Sequence, residues 1–411
     1  NASPLITTGC PVFQVALSTA RRKDWALADR GLSPADLAMH VVLPEVDGRL
    51  FAGVVSFKAP GKKDPDLQFS RFAHRADAGR VEAALNRIDG WLRLARLRNA
   101  DKRLALILST YPGRDHQLAH AVGLDALASC DGILKALAAE GYAVEAAENT
   151  GLRLMEEELS LPLADYSAAL AALPGPLRDD LTAAWGTPEE DADFRDGAFH
   201  FKALRAGSAL IALQPERGEV KTRVDDYHDL DRTPRHAYVA FYLWLQAQTD
   251  ALIHIGAHGT LEWLPGKAVA LSQDCWPEAL TGTLPVAYPF IVNDPGEAAQ
   301  AKRRIGAATI GHLPPPMAQT KLPEGMARLE ALLDEYSTAD GLDPARRDRL
   351  ITDIRAEAQG TGVEADLGMD DQTSAAEAIT RIDAFVCDIK ERQYAEGLHI
   401  FGAGQYGSEE I

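Results

Sequence analysis

Three residues within nine positions are equipped for metal or proton chemistry: His254, His258 and Glu262, in the run LIHIGAHGTLEWLPGK at 252–267. Gly256 and Gly259 lie among them, and a Pro265-Gly266 turn follows. Side-chain direction repeats every two residues in an extended segment, so His254 and His258 point to one side. A turn at Gly259 swings the Glu262 carboxylate back toward them. Two imidazoles and one carboxylate suffice to hold a borderline divalent ion, or to take up protons while an ion enters a ligand. The same spacing also fits a strand exit whose polar side chains face water. It is not the helical His-Glu-x-x-His of zinc proteases.

A second cluster lies between Gly218 and His236: Asp225, Asp226, His228, Asp229, Asp231 and His236. At this density, carboxylates and imidazoles line a wet, metal-conducting cleft or form an acidic solvent loop. The cluster falls between apolar runs near 210 and 252, and adjacent parallel strands would bring both groups to one sheet edge. His236 opens the aromatic run HAYVAFYLWLQA, where helix capping is the competing role.

The elements that must position these residues are short apolar runs near 104, 210, 252 and 287, alternating with helical patterns. That alternation predicts an α/β fold: mostly parallel sheets flanked by helices, with a helical C-terminal region after Pro316. The expected division is 1–100 as an α/β segment of a larger domain, 101–316 as the α/β domain carrying the His/Glu signature, and 317–411 as a helical domain or arm. Residues 145–200 read as helical and acidic.

The formal charge of -18, with 60 acidic against 42 basic residues, disfavours a nucleic-acid groove. No apolar run is long enough to predict a membrane span. Four cysteines at 10, 130, 275 and 387 have no metal-knuckle spacing and suggest a reducing, cytoplasmic setting. Without an initiator methionine, the sequence reads as a piece of something longer.

GCPVFQVALS, RGLSPADLAMHVVLPEVDGR, YHDLDRTPRHAYVAFYLWL and above all HIGAHGTLEWLPGKAVALS resemble the large subunit of the aerobic cobaltochelatase of cobalamin biosynthesis. More distantly they resemble the porphyrin-binding subunit of magnesium chelatase. The resemblance implies ATP-dependent insertion of Co²⁺ into the corrin ring of hydrogenobyrinic acid a,c-diamide. Under it, Glu262, His258 and His254 are the expected catalytic residues. The same three with Asp229 are the metal ligands, and His228, His236, Tyr227 and Trp263 contact the macrocycle. Histidine and glutamate suit a reaction that strips water from an ion and protons from ring nitrogens.

ATP and Mg²⁺ belong, under the same resemblance, to partner subunits: an AAA+ ATPase and a subunit with an integrin-type metal-binding domain. The sequence agrees in one respect. Its nearest approach to a phosphate loop, Gly259 to Lys267, has six residues between the glycines and Ala268 where a hydroxyl should meet Mg²⁺. Alternative readings are a magnesium chelatase-like subunit acting on protoporphyrin IX, a metal-dependent hydrolase, and a non-catalytic tetrapyrrole carrier.

Overall fold

The computed structural model describes residues 10–109, 124–145, 149–218, 231–256, 259–291, 295–312, 324–339, 344–367, 369, 378–379, 381–383, 385–386 and 399–402. Two sheets organise the chain. The smaller joins β1 (Phe13–Ser18), β2 (Leu50–Asp64) and β3 (Phe69–Ala76), with β1 parallel and β3 antiparallel to β2. Helix Ala78–Arg96 follows, capped by the Asp77 carboxylate on the Arg80 N–H.

The larger sheet comprises β4 (Leu104–Leu108), β5 (Glu158–Pro162), β6 (Phe194–Arg195), β7 (Ala198–Ala206), β8 (Ala209–Leu213), β9 (Ala251–Ile255), β10 (Val286–Ile291) and β11 (Ala308–His312). Its order is β11-β10-β9-β4-β8-β7-β5, with β6 paired to β7. The five strands from β11 to β8 are parallel, whereas β5, β6 and β8 all run antiparallel to β7. The α/β expectation holds, but the sheet is mixed rather than mostly parallel. The physical reason is the two-residue turn between β7 and β8, where Gly207 adopts φ +64 and reverses the chain at once instead of through a crossover helix.

Both faces of the parallel half are covered, so its strands read as continuous apolar runs. Alternation along β4 sends Leu104, Leu106 and Leu108 to one face, packed by helix Ala126–Ala139, and Ala105 and Ile107 to the other. On that second face lie helix His236–Gln248 and Trp276. Leu106, Ile107 and Leu108 are fully buried, and each such side chain contributes about 1.5–3 kcal/mol relative to exposure.

The C-terminal stretch is helical, as expected. Helices Glu324–Ala339, Pro344–Gly360 and Val363–Asp366 enclose a core of Met326, Leu329, Leu333, Ile354, Ala358 and Val363. Past them the chain returns to the large sheet's flank: Leu124 and His399 form a parallel bridge, and the Phe401 N–H donates to the Ser129 hydroxyl. Among the described residues, no helix is long and apolar enough to cross a membrane.

Candidate functional site

Four neighbouring parallel strands deliver one polar residue each, three of them at or just beyond the carboxyl ends. Ser109 follows β4 and Gln214 follows β8; His254 is the penultimate residue of β9, and Tyr288 stands midway along β10. The register ties them together, since Ile107 pairs with His254 and Ala287 pairs with Ile253. The carboxyl edge of a parallel sheet is where α/β proteins bind ligands. Helix His236–Gln248 adds Tyr238 and Tyr242, four residues apart and therefore on one face.

These side chains form one buried network. Gln214 orients it: its Oε1 accepts from the Thr260 N–H at 3.2 Å, which turns its amide nitrogen toward Tyr238 (3.1 Å), Tyr242 (2.6 Å) and His254 Nε2 (3.4 Å). The Tyr242 hydroxyl lies 3.4 Å from the same Nε2, and Tyr238 is 2.8 Å from the Thr260 hydroxyl. With donors facing Nε2, the imidazole proton belongs on Nδ1, 3.3 Å from the Ser109 hydroxyl. Burial pushes the His254 pKa down to about 3, so the ring is neutral at physiological pH. Burial also raises the Tyr238 and Tyr242 phenols, which keep their protons.

Glu262 sits in the short 3₁₀ turn Leu261–Trp263 and is fully buried. Its Oε1 accepts from the Gly259 N–H at 3.2 Å and from the Tyr288 hydroxyl at 3.3 Å. Among the described residues, its Oε2 is buried with no hydrogen-bond partner. Burial raises its pKa, against the opposing pull of nearby N–H groups, the Tyr288 hydroxyl and the charge of Arg304. A buried polar atom without a partner costs about 1–3 kcal/mol, and such an exception calls for a functional reason.

The loop around Glu262 is held from behind by Arg304. This buried guanidinium donates to the carbonyls of Glu262 (2.6 Å), Leu264 (2.8 Å), Gly266 (3.2 Å) and Lys267 (3.2 Å). Desolvation lowers its pKa to about 10, which leaves it charged at neutral pH. Lys267 donates in turn to the carbonyls of Ala26 and Ala28, and Trp25 to that of Ala270, so the small sheet's segment braces the same loop.

The structure thus brings His254 and Glu262 to one centre, linked through Gly259 and Tyr288. His258, Tyr227, His228 and Asp229 lie outside the described residues. The described flanks of the acidic segment do reach the signature loop: Arg217 donates to the Trp263 carbonyl at 3.2 Å and to that of Arg232 at 3.3 Å. His236 is buried, with Nδ1 2.7 Å from the Tyr166 hydroxyl and Nε2 3.2 Å from the Gly186 carbonyl. Burial lowers its pKa, and both ring nitrogens are engaged by protein. Among the described residues, no group of three His, Cys, Asp or Glu side chains converges on a metal position.

Sequence reasoning missed Ser109, Gln214, Tyr238, Tyr242, Tyr288 and Arg304. The two tyrosines at helical spacing just ahead of the signature were the available signal. The others announce themselves only once strands distant in sequence are set side by side.

The profile of a family described as CobN/Magnesium Chelatase matches residues 2–410. The chain is 41% identical over 420 residues to the aerobic cobaltochelatase subunit CobN of a Sinorhizobium species, across 98% of this chain and 33% of that protein. It is 40% identical over 416 residues to the same subunit of Pseudomonas aeruginosa, across 97% of this chain and 33% of that one. The solved catalytic subunit of cobaltochelatase from Mycobacterium tuberculosis matches with a TM-score of 0.69 at 35% identity, covering 99% of this chain and 36% of that chain. The chain therefore spans about a third of the length of the curated relatives it matches.

Proposed function

The chain belongs to the CobN/magnesium chelatase family, and on that premise we propose that it forms the region of a cobalt-inserting large subunit where the macrocycle meets the metal. The substrates are Co²⁺ and a corrinoid tetrapyrrole, hydrogenobyrinic acid a,c-diamide. The observation that carries this reading is the fully buried Glu262 carboxylate, one oxygen fixed by Gly259 and Tyr288 and the other without a partner among the described residues. A carboxyl held above its usual range by burial is suited to exchanging a proton with a ring nitrogen or to receiving an ion as it sheds water.

The residues divide the labour. Glu262 and His258 form the pair that handles protons and the incoming ion, with Asp229 as a further metal ligand. His254, neutral and enclosed by Ser109, Gln214 and Tyr242, is a positioning residue that fixes the turn at Gly259. Trp263, Tyr227 and His228 face the macrocycle. We assign His236, whose nitrogens are both engaged, to anchoring the end of the 219–235 segment. Residues 101–316 carry the site, 1–100 brace it and 317–411 form an arm.

ATP and Mg²⁺ are handled by partner subunits, an AAA+ ATPase and a subunit with an integrin-type metal-binding domain, in the cytoplasm. Glu262→Gln in the full-length subunit tests the reading, because it keeps volume but removes the ionisable group. With partners and ATP present, cobalt insertion followed by absorbance falls about 100-fold or more. Corrinoid affinity, measured without partners, changes little. Near-normal insertion, or loss of affinity matching the loss of rate, overturns it.

A further inference from the structure

A pocket of about 390 Å³ opens on the small sheet, and none of the residues that line it belongs to the network around His254 and Glu262. That volume lies within the range of sites that enclose small ligands. Arg21, Arg22, Lys23, Lys58 and Arg75 line it against a single carboxylate, Asp77. In a chain of formal charge -18, this gathering of cations reverses the prevailing field.

Asp77 does little to neutralise the group. One of its oxygens accepts from Arg22 at 3.0 Å, and the other caps a helix by accepting from the Arg80 N–H at 3.0 Å. Burial pushes its pKa up, yet those two bonds outweigh it and hold the carboxyl below the usual range. Among the described residues, Arg21, Lys23, Lys58 and Arg75 have no ion-pair partner, although the chain has 60 acidic residues to choose from. Like charges brought together repel, and a bound anion relieves that repulsion.

The floor is apolar and firm. Phe57 is buried and packs its ring 4.9 Å from that of Trp25; Ala59, Pro60 and Ala76 complete the lining. At the rim the Arg21 guanidinium rests 5.4 Å from the Phe72 ring centre, which restrains a long side chain before any ligand arrives.

We propose that this pocket binds a small polyanion, two or more carboxylate or phosphate groups carried on an apolar body. Arginine and lysine at the rim pair with the anionic oxygens, and the apolar body lies over Phe57 and Pro60.

Calorimetric titration of the chain at constant ionic strength tests this with pyrophosphate and with a benzene tricarboxylate, acetate serving as the single-charge control. Saturable binding of at least one polyanion is expected, weakened about tenfold or more by Lys58→Gln and by Arg75→Gln singly. Pyrophosphate binding alone identifies phosphate as the ligand chemistry, and tricarboxylate binding alone identifies carboxylate. Lys58 is half-buried on β2 and Arg75 is exposed on β3, and thermal melts verify that each variant folds. The double variant sharpens the loss, but the single ones decide the matter. No saturable binding of either polyanion, or affinity unchanged in both single variants, overturns the proposal.

Discussion

The His254 imidazole lies flat against the phenol of Tyr288, with ring centres 5.0 Å apart and planes 11° from parallel, while the hydroxyl of that phenol donates to Glu262. One side chain on β10 therefore fixes the orientation of the buried histidine and biases the protonation of the buried carboxyl. Aromatic stacking depends on the ring and the bias on the hydroxyl, so the two effects can be separated.

Tyr288→Phe keeps the stack and removes the donor to Glu262. Since that hydrogen bond lowers the Glu262 pKa against burial, its loss sends the pKa further up. With insertion dependent on the ionised carboxylate, the rising limb of the pH–rate profile moves to higher pH, and the rate on that limb falls. Infrared titration of the carboxyl band in parallel reports the same displacement. An unmoved band counts against the coupling.

His254 predicts a specific acid sensitivity. Its folded pKa, about 3, lies below the ordinary 6.5, so its contribution to stability is complete above 6.5 and drains away as pH falls toward 3. Between pH 7 and 5 the loss is roughly 2 kcal/mol. Urea unfolding at the two pH values should show the wild-type chain losing that much more than His254→Gln, which has no proton to bind.

Arg304→Met leaves the carbonyls of Glu262, Leu264, Gly266 and Lys267 without their donor. A cost of about 3–5 kcal/mol in unfolding free energy follows. Arg304→Lys keeps the charge but not the planar fork. Amides of 262–267 should then exchange with solvent faster, even where global stability recovers in part.

Gly259→Ala tests how tightly the turn is enclosed. An added Cβ would stand 2.6 Å from His254 Cε1 and 3.2 Å from the Tyr288 hydroxyl, and neither ring has room to retreat. Destabilisation of about 1–3 kcal/mol is expected by thermal or urea melts. Neutral behaviour would mean that the stacked pair moves freely.

Much of this was legible in the sequence, and the omissions have physical causes. The runs LALIL, ALIAL and ALIHI read as buried strands because both sheet faces are covered, and they are β4, β8 and β9. The antiparallel half was missed because FHFKALRA sits beside an acidic helical stretch that set the reading for 145–200. Its Gly207-Ser208 turn was a usable hairpin signal. His254 and Glu262 stood out by type and spacing, whereas Gln214 did not. A single glutamine carries no pattern, and its role exists only because β4 and β9 lie side by side next to β8. Arg304 was hidden for the converse reason, since an arginine in a basic helical run looks like a solvated face.

The braces from Trp25 to Ala270 and from Lys267 to Ala26 join residues 245 and 241 positions apart. Contacts of such separation form late, after the local and neighbouring pairings that cost less chain entropy. A growing chain would hold Trp25 ready while Ala270 had yet to be made, so the rear wall of the Glu262 loop is a late product of folding. Pulse-labelled hydrogen exchange during refolding should find amides 266–270 protected after those of β4 and β8. Protection of both at the same time would instead make the small sheet part of the folding nucleus. Mutations at Trp25 would then slow the formation of the whole fold, whereas late bracing confines their effect to how long the finished site persists.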